Sequence, residues 1–479
     1  MSNIKKNLGY QTFYQLLNTC IPLITAPYLS RVLGAENLGI FSYTQSVVGY
    51  FTLFAMLGLA NYGTRTIASV MNDKEKVSKE FLSIFSLQFI TSTIAIGGYI
   101  FYFILFCKDN RIIALVQILA IISCYLDINW LFFGLEKFEI TVKINIIIRI
   151  FTLVSVLVFV KTTEDLWIYT FIMVFSTLLS QFVLWIYVPQ YISIVKFNKG
   201  DVIKHIKPNL VLFIPIAAMS VYHIMDKTML GAISSFEETG YYYNSDKIIN
   251  IPAGILSGIS TVLMPRVTAL ISENKHEEMI SLFKKSLEGT IFISSALTFG
   301  IAAISNEFIP VFFGKGYDEC ILLTVVLSPI LIIKGFSFTF RYQYLIPYKM
   351  DKKYIYSILC GMIVNLFVNI ILIPIYGAMG AVIGTLIAEL TACVIQSICV
   401  FKQVNIIKSC LKCMESIFMG IVMYISVRCV IDALNTNDFV KIGVGILTGI
   451  VVYLGIAFVL LIIGKKRGVK NEKKTTKCI

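Results

Sequence analysis

The chain has 479 residues, 57% of them hydrophobic and only 14% charged, with a formal net charge of +13 and a mean hydropathy of +0.80. Soluble domains carry roughly 25% charged residues, and no soluble core can hide this much apolar surface, so lipid must be the solvent for much of the chain. The positive balance does not point to nucleic acid: the cations lie in short loops between apolar runs, where membrane topology accounts for them.

A membrane-crossing helix needs about 20 apolar residues at a rise of about 1.5 Å per residue. Runs of that length recur at 10–33, 38–62, 81–106, 113–135, 143–161, 166–188, 209–232, 241–265, 287–306, 320–346, 355–376, 379–401, 414–431 and 441–464. They predict an all-α integral membrane protein of about fourteen transmembrane helices. The basic start, Met1 to Lys6, has no small-residue cleavage site behind it, so the first span is expected to be retained. Spans one and seven share features. Pro22 and Pro27 mark the first and Pro208 and Pro215 the seventh, and proline bends a helix by removing a hydrogen bond. The first ends in Arg-Val-Leu-Gly-Ala (31–35) before Gly39, the seventh in Thr-Met-Leu-Gly-Ala (228–232) before Gly240. Two six-helix bundles related by a pseudo-twofold axis along the membrane normal would place these helices in equivalent positions. The expected division is 1–200 and 201–410 for the two bundles, 411–464 for two additional helices, and 465–479 for a basic, unstructured tail. The segment Arg266 to Ser286 mixes charges with Val267, Leu270, Ile271, Met279, Ile280 and Leu282, which predicts an amphipathic surface helix between the halves.

Lysine and arginine orient the spans. With both termini cytoplasmic, the inner segments hold Lys5 and Lys6, Arg65 to Lys79, Lys137 and Lys143, Lys196 to Lys207, Arg266 to Lys285, Lys349 to Lys353, Lys402 to Lys412 and the tail cations. The outer loops then hold only Lys108, Arg111, Lys161 and Lys315, with Lys441 at a helix edge. No loop is long enough for a soluble catalytic domain.

Ionisable residues at bilayer depth are costly and normally face a polar cavity or a partner. Here they are Arg31, Asp127, Arg149, Asp226, Lys227, Asp246, Lys247, Lys334, Arg341, Glu389 and Arg428, with cations in excess. Spare positive charge suits an anionic substrate such as a phosphate or pyrophosphate. The plainer reading is that Arg31, Arg149, Arg341 and Arg428 snorkel from span ends, and that Asp226–Lys227 and Asp246–Lys247 bridge helices structurally. Cys410 and Cys413 form a CxxC, but no second pair or nearby histidine completes a metal site. There is no GxxxxGK[ST] loop and no catalytic constellation, so neither an ATPase nor another enzyme is expected.

The stretch Gln11 to Arg65 resembles the Wzx-type polysaccharide-repeat-unit flippases, of the polysaccharide transport family in the MATE-like MOP superfamily. The resembling residues are Pro22, Pro27-Tyr28, Arg31-Val-Leu-Gly34, Gly39-Ile-Phe-Ser and Gly63-Thr-Arg65. Further matches are Asp226-Lys-Thr-Met-Leu-Gly231, Val262-Leu-Met-Pro-Arg266 and Pro374-Ile-Tyr-Gly-Ala-Met-Gly-Ala381; the last two spans and the tail match nothing. The resemblance implies two bundles in a V that open alternately to each side of a bacterial inner membrane. It implies a polyprenyl-pyrophosphate-linked oligosaccharide, as for O-antigen or capsule, moved from the cytoplasmic to the outer leaflet, with a polysaccharide polymerase and chain-length machinery as partners. Arg31, Arg65, Lys227 and Lys247 become candidate substrate contacts, Asp226 and Asp246 their charge partners. No cofactor is expected; Asp127 and Glu389 are candidates for coupling to a proton or sodium gradient or to membrane voltage. The rivals are a drug or metabolite antiporter, which predicts a cavity richer in acids and aromatics; a lipid II flippase; and a membrane-embedded glycan polymerase, which predicts a long outer loop that this chain lacks.

Overall fold

A computed structural model describes residues 2–401, 404 and 407–475, and their side chains except at 2–20, 215, 223, 407–408, 461 and 463–475. In chain order its helices are α1 (Ser2–Met56), α2 (Leu59–Val70), α3 (Lys74–Phe106), α4 (Arg111–Leu126), α5 (Asn129–Gly134), α6 (Phe138–Phe159), α7 (Leu166–Leu184), α8 (Val188–Tyr191) and α9 (Lys199–Ile203). Then come α10 (Ile206–Ile233), α11 (Phe236–Ser272), α12 (His276–Phe313), α13 (Glu319–Leu327), α14 (Ile330–Phe340), α15 (Asp351–Phe401), α16 (Ile407–Ala433) and α17 (Asp438–Thr475).

Eleven helical segments among the described residues are long and apolar enough to cross a membrane. A twelfth is a bent pair, Lys199–Ile214 with Ile216–Tyr222, at 43° to each other; the break falls where the sequence places Pro215. Two of the long helices are themselves double. α1 breaks at Gly34 (φ 79, ψ 171) and α15 at Gly377 (φ 53, ψ −129). Both values lie where a Cβ is disfavoured, so glycine lets the chain turn between successive spans without a loop. Opened at these two points, the set gives the fourteen spans that the apolar runs predict.

The surface is inverted relative to a soluble protein. Ile94, Phe101, Ile104, Ile147 and Val451 are each 65% exposed or more, whereas Ser83, Gln88, Ser92, Asn365 and Asn369 are fully covered by protein. Helix association in lipid has no hydrophobic driving force, so small and polar residues turn inward and apolar ones face the tails.

The chain divides into two compact units. The first comprises Met1–Tyr243 with Asn369–Ala381, the second Asn244–Val368 with Val382–Ile479. In the first, α1 packs on α3, α4, α6 and α10, and α4 on α7. Its core gathers Leu59, Ile67, Phe81, Trp130, Phe132 and Leu184. Trp130 donates its indole N–H to Gln88 Oε1 at 3.0 Å, and Gln88 donates to the Cys124 carbonyl and to that of Asp127 at 2.9 Å. Those carbonyls are orphaned where α4 stops short of α5, so one buried amide satisfies the end of a broken span.

In the second unit α12 packs on α14, α16 and α17, around Ala303, Met419, Met423, Val427, Ile431 and Tyr453. Arg428 pairs with two carboxylates of its own unit. Its guanidinium lies 2.9 Å from Glu307 of α12 and also pairs with Asp432 one turn on. This ion triad fastens α16 to the rest of the unit.

Two further expectations change. The segment 266–286 is not one surface helix. α11 runs to Ser272, Asn274 takes a left-handed conformation (φ 59), and α12 starts at His276; Val267, Leu270 and Met279 are buried. Their apolar face meets protein instead of the membrane surface. The tail expected to be unstructured continues α17 as helical backbone to Thr475; 476–479 lie outside the described residues.

Candidate functional site

In the first unit the charged residues of α10 sit against the start of α11. Asp226 is 4% exposed. Its Oδ2 accepts the Tyr242 hydroxyl at 2.7 Å, and its Oδ1 accepts Asn369 Nδ2 at 2.6 Å. Lys227 is half-buried, with Nζ 5.5 Å from the Tyr243 ring centre. Consecutive residues on a helix point about 100° apart, so the adjacent pair Asp226–Lys227 is met by the adjacent pair Tyr242–Tyr243. The carboxylate takes the hydroxyl and the ammonium takes the ring face in a cation–π contact. Arg31 and Arg65 lie on α1 and α2 with exposed side chains.

In the second unit Asp246 and Lys247 are both half-buried on α11. Asp246 Oδ1 accepts Asn250 Nδ2 at 2.7 Å, and Asn250 Oδ1 receives the Lys334 ammonium of α14 at 3.3 Å. Glu389 is half-buried on α15. Arg341 opens a π-helical turn, Arg341–Leu345, at the end of α14. Its guanidinium carbon stands 4.4 Å from the Tyr354 ring centre and 4.7 Å from that of Tyr342. π turns are rare and occur often at functional positions. Arg341 is thus held between two aromatic rings of its own unit.

Asp127 ends α4. Its Oδ1 accepts the backbone N–H of Asn129 at 3.1 Å and its side-chain amide at 2.8 Å, so it closes the break between α4 and α5. Glu80, Lys204 and His205 make a group that the charge inventory did not single out. His205 is 1% exposed, with Nδ1 2.7 Å from the Tyr62 hydroxyl and Nε2 2.8 Å from Ser83 Oγ; Glu80 lies 3.4 Å from Nε2 and 2.6 Å from Lys204 Nζ. No group of acidic, histidine and cysteine side chains suited to a metal ion is present among the described residues.

A many-spanning bundle with charged groups on its helices, of which Lys227 and Arg341 lie against aromatic rings and Lys334 against an amide, is the architecture of a polytopic membrane protein. Solved structures place the fold more closely. The chain is similar to the structure "Lipid II flippase MurJ, inward closed conformation", with a TM-score of 0.78 and 14% identity over 94% of this chain and 98% of that one. It is also similar to an inward-facing MATE-family multidrug transporter of the MOP superfamily (TM-score 0.58, 13% identity, 84% and 95% covered). Residues 4–271, more than half of the chain, match the family model described as "Polysaccharide biosynthesis protein", and the chain belongs to that family. Among curated relatives, the Escherichia coli (strain K12) "Putative O-antigen transporter" is 26% identical, over 83% of this chain and 95% of its own length. "Capsular polysaccharide biosynthesis protein CapF" of Staphylococcus aureus is 22% identical, over 81% and 96%.

Tyr242, Tyr243, Asn250, Asn369 and Tyr354 escaped the sequence reading because it searched for charge, and these partners are neutral. The one available signal was the run Gly-Tyr-Tyr-Tyr-Asn-Ser-Asp-Lys (240–247), in which aromatic and amide groups crowd against an intramembrane ion pair.

Proposed function

We propose that this protein is a flippase that carries polyprenyl-pyrophosphate-linked oligosaccharide repeat units from the cytoplasmic to the outer leaflet by alternating access. The observation that carries the reading is the match to a putative O-antigen transporter and a capsular polysaccharide biosynthesis protein along nearly their whole length, 95% and 96% of the two relatives. The intramembrane cations fit it. Arg31, Arg65, Lys227 and Lys247 attract the diphosphate, Asp226 and Asp246 hold the local geometry, and Asp127 and Glu389 are the groups through which an ion gradient acts. A charged headgroup cannot cross the hydrocarbon unaided, because moving even one charge to the bilayer centre costs about 2.5–3.5 kcal/mol or more. A cationic, hydrated path removes that barrier while the prenyl chain stays in lipid. Both termini face the cytoplasm in this reading, as the basic loops require, and the membrane is that of a bacterial cell. A polymerase acting on the delivered unit is the partner such a substrate calls for.

The test is reconstitution in vesicles with a fluorescent polyprenyl-pyrophosphate glycan, read by how fast inner-leaflet label becomes accessible outside. Flipping far faster than in protein-free vesicles is expected. A rate equal to that of protein-free vesicles overturns the reading.

A further inference from the structure

The repeat noted in the sequence, a Leu-Gly-Ala helix end followed by a glycine on the next helix, meets itself in the fold. A Cβ placed on Gly39 would overlap the Phe236 carbonyl oxygen, and one placed on Gly240 would overlap the Ala35 carbonyl oxygen. Phe236 stands four residues before Gly240, and Ala35 four residues before Gly39. The contact is therefore reciprocal. Each glycine points its Cα–H at the carbonyl that, one helical turn below, already accepts the opposite glycine's own N–H. A carbonyl has two lone pairs, so both interactions fit. Only glycine permits this approach, since the obstacle on each side is backbone and cannot rotate away.

The crossing lies on the face opposite the basic loops, where α1 resumes after Gly34 and α11 begins after Ser235. Two neighbours close it. Tyr43 packs against Gly231 and on the Phe236 ring at 5.6 Å. Glu238 Oε2 accepts the backbone N–H of Ala378 at 2.6 Å, directly after the Gly377 break in α15. The first residues of α11 lie in the first compact unit and the remainder in the second, so the crossing sits on a helix shared by both.

We propose that Gly39 and Gly240 form a reciprocal latch that seals the outer face and parts in each transport cycle; this rests on the flippase reading. The chemistry suits a joint that must open. Cα–H···O contacts hold backbones close through geometry yet are weak singly, and at the crossing point itself backbone meets backbone. The same glycine approach lets transmembrane helices dock reversibly. The Glu238 carboxylate is the polar clasp that links a third helix junction to the pair.

The experiment uses Glu36→Cys with Glu237→Cys, two exposed positions flanking the latch, in full-length protein stripped of its native cysteines. They are joined by a reducible bifunctional thiol reagent. Bridging should slow flipping by at least about tenfold, equivalent to about 1.4 kcal/mol of barrier, and reduction should restore the unbridged rate. Bridged protein that flips at the unbridged rate overturns the latch. Hydrogen exchange supplies a readout that needs no substrate. Gly240→Ala should speed exchange over 34–43 and 234–243 by about tenfold or more while α12, α14, α16 and α17 keep their protection, and unchanged exchange there also overturns the latch. Absence of flipping by the unbridged protein overturns the transport reading instead, and the exchange result still decides the latch.

Discussion

Residue scale shows most clearly how buried charge is handled here. Glu307 and Arg428 are each largely covered, with side-chain exposures of 9% and 19%, and their pairing joins α12 to α16. Removing one partner strands the other: Glu307→Ala should destabilise by about 3–5 kcal/mol, read as a lower melting temperature in detergent. The double change Glu307→Gln with Arg428→Met should recover most of that loss, because desolvation of the charges nearly offsets their attraction. An equal loss in the double variant would contradict the account. Asp226 behaves differently. Asp226→Asn keeps an acceptor for Tyr242 but brings an amide N–H against a donor, so we expect a modest loss of stability and a larger loss of flipping. Sequence alone made these charges visible. It could not say which were fastened by neutral neighbours, because a tyrosine or asparagine partner leaves no trace in a charge count.

At the scale of helices, the breaks carry the fold, and glycine places them. Gly63 sits against the Trp130 indole so closely that a Cβ would overlap the ring. Gly63→Ala must separate α2 from α5 at a cost of about 1–3 kcal/mol, measurable as reduced thermal stability with secondary structure retained. The start of α3 gives a pH dependence. Asp73 caps it by accepting from Glu75 N–H at 3.1 Å and Lys76 N–H at 3.2 Å. The Lys76 backbone N–H, first, and its ammonium hold the carboxyl below its ordinary range. A group whose folded pKa is lowered stabilises above its unfolded pKa and loses that contribution as pH falls through the folded value. Amide exchange at 74–77 should therefore rise on acidification through the carboxylate range, and Asp73→Asn should flatten that rise. The spans themselves were legible, because an apolar run of membrane length has few other meanings. The two breaks were legible as well, since the apolar runs stop at 33 and 376 and resume at 38 and 379; that a single glycine turns the chain at each without a loop shows only in the backbone angles of Gly34 and Gly377. The stretch 266–286 misled for a related reason, since an amphipathic pattern does not reveal whether its apolar side meets lipid or protein.

For the molecule as a whole, the asymmetry of lysine and arginine between alternate loops predicts which way the helices run. Both ends of the chain should be accessible from the cytoplasm, and a reporter fused after Thr475 should fluoresce or be cleaved only from that side. The family and the membrane class could be read from composition, span count and the motifs around Arg31, Gly39 and Asp226. The reciprocal contact of Gly39 and Gly240 could not, since it joins positions two hundred residues apart through backbone atoms alone.

The claim at the centre is that cations within the helices give a diphosphate headgroup its route through the bilayer. The direct measurement compares flipping of one lipid-linked glycan, in matched vesicles, by the wild type, by Lys227→Arg and by the triple variant Arg31→Ala, Lys227→Ala, Lys247→Ala. Retained flipping in Lys227→Arg and loss of about a hundredfold in the triple variant, equivalent to about 2.7 kcal/mol, are expected. A triple variant that folds, inserts and flips at the wild-type rate would contradict the account.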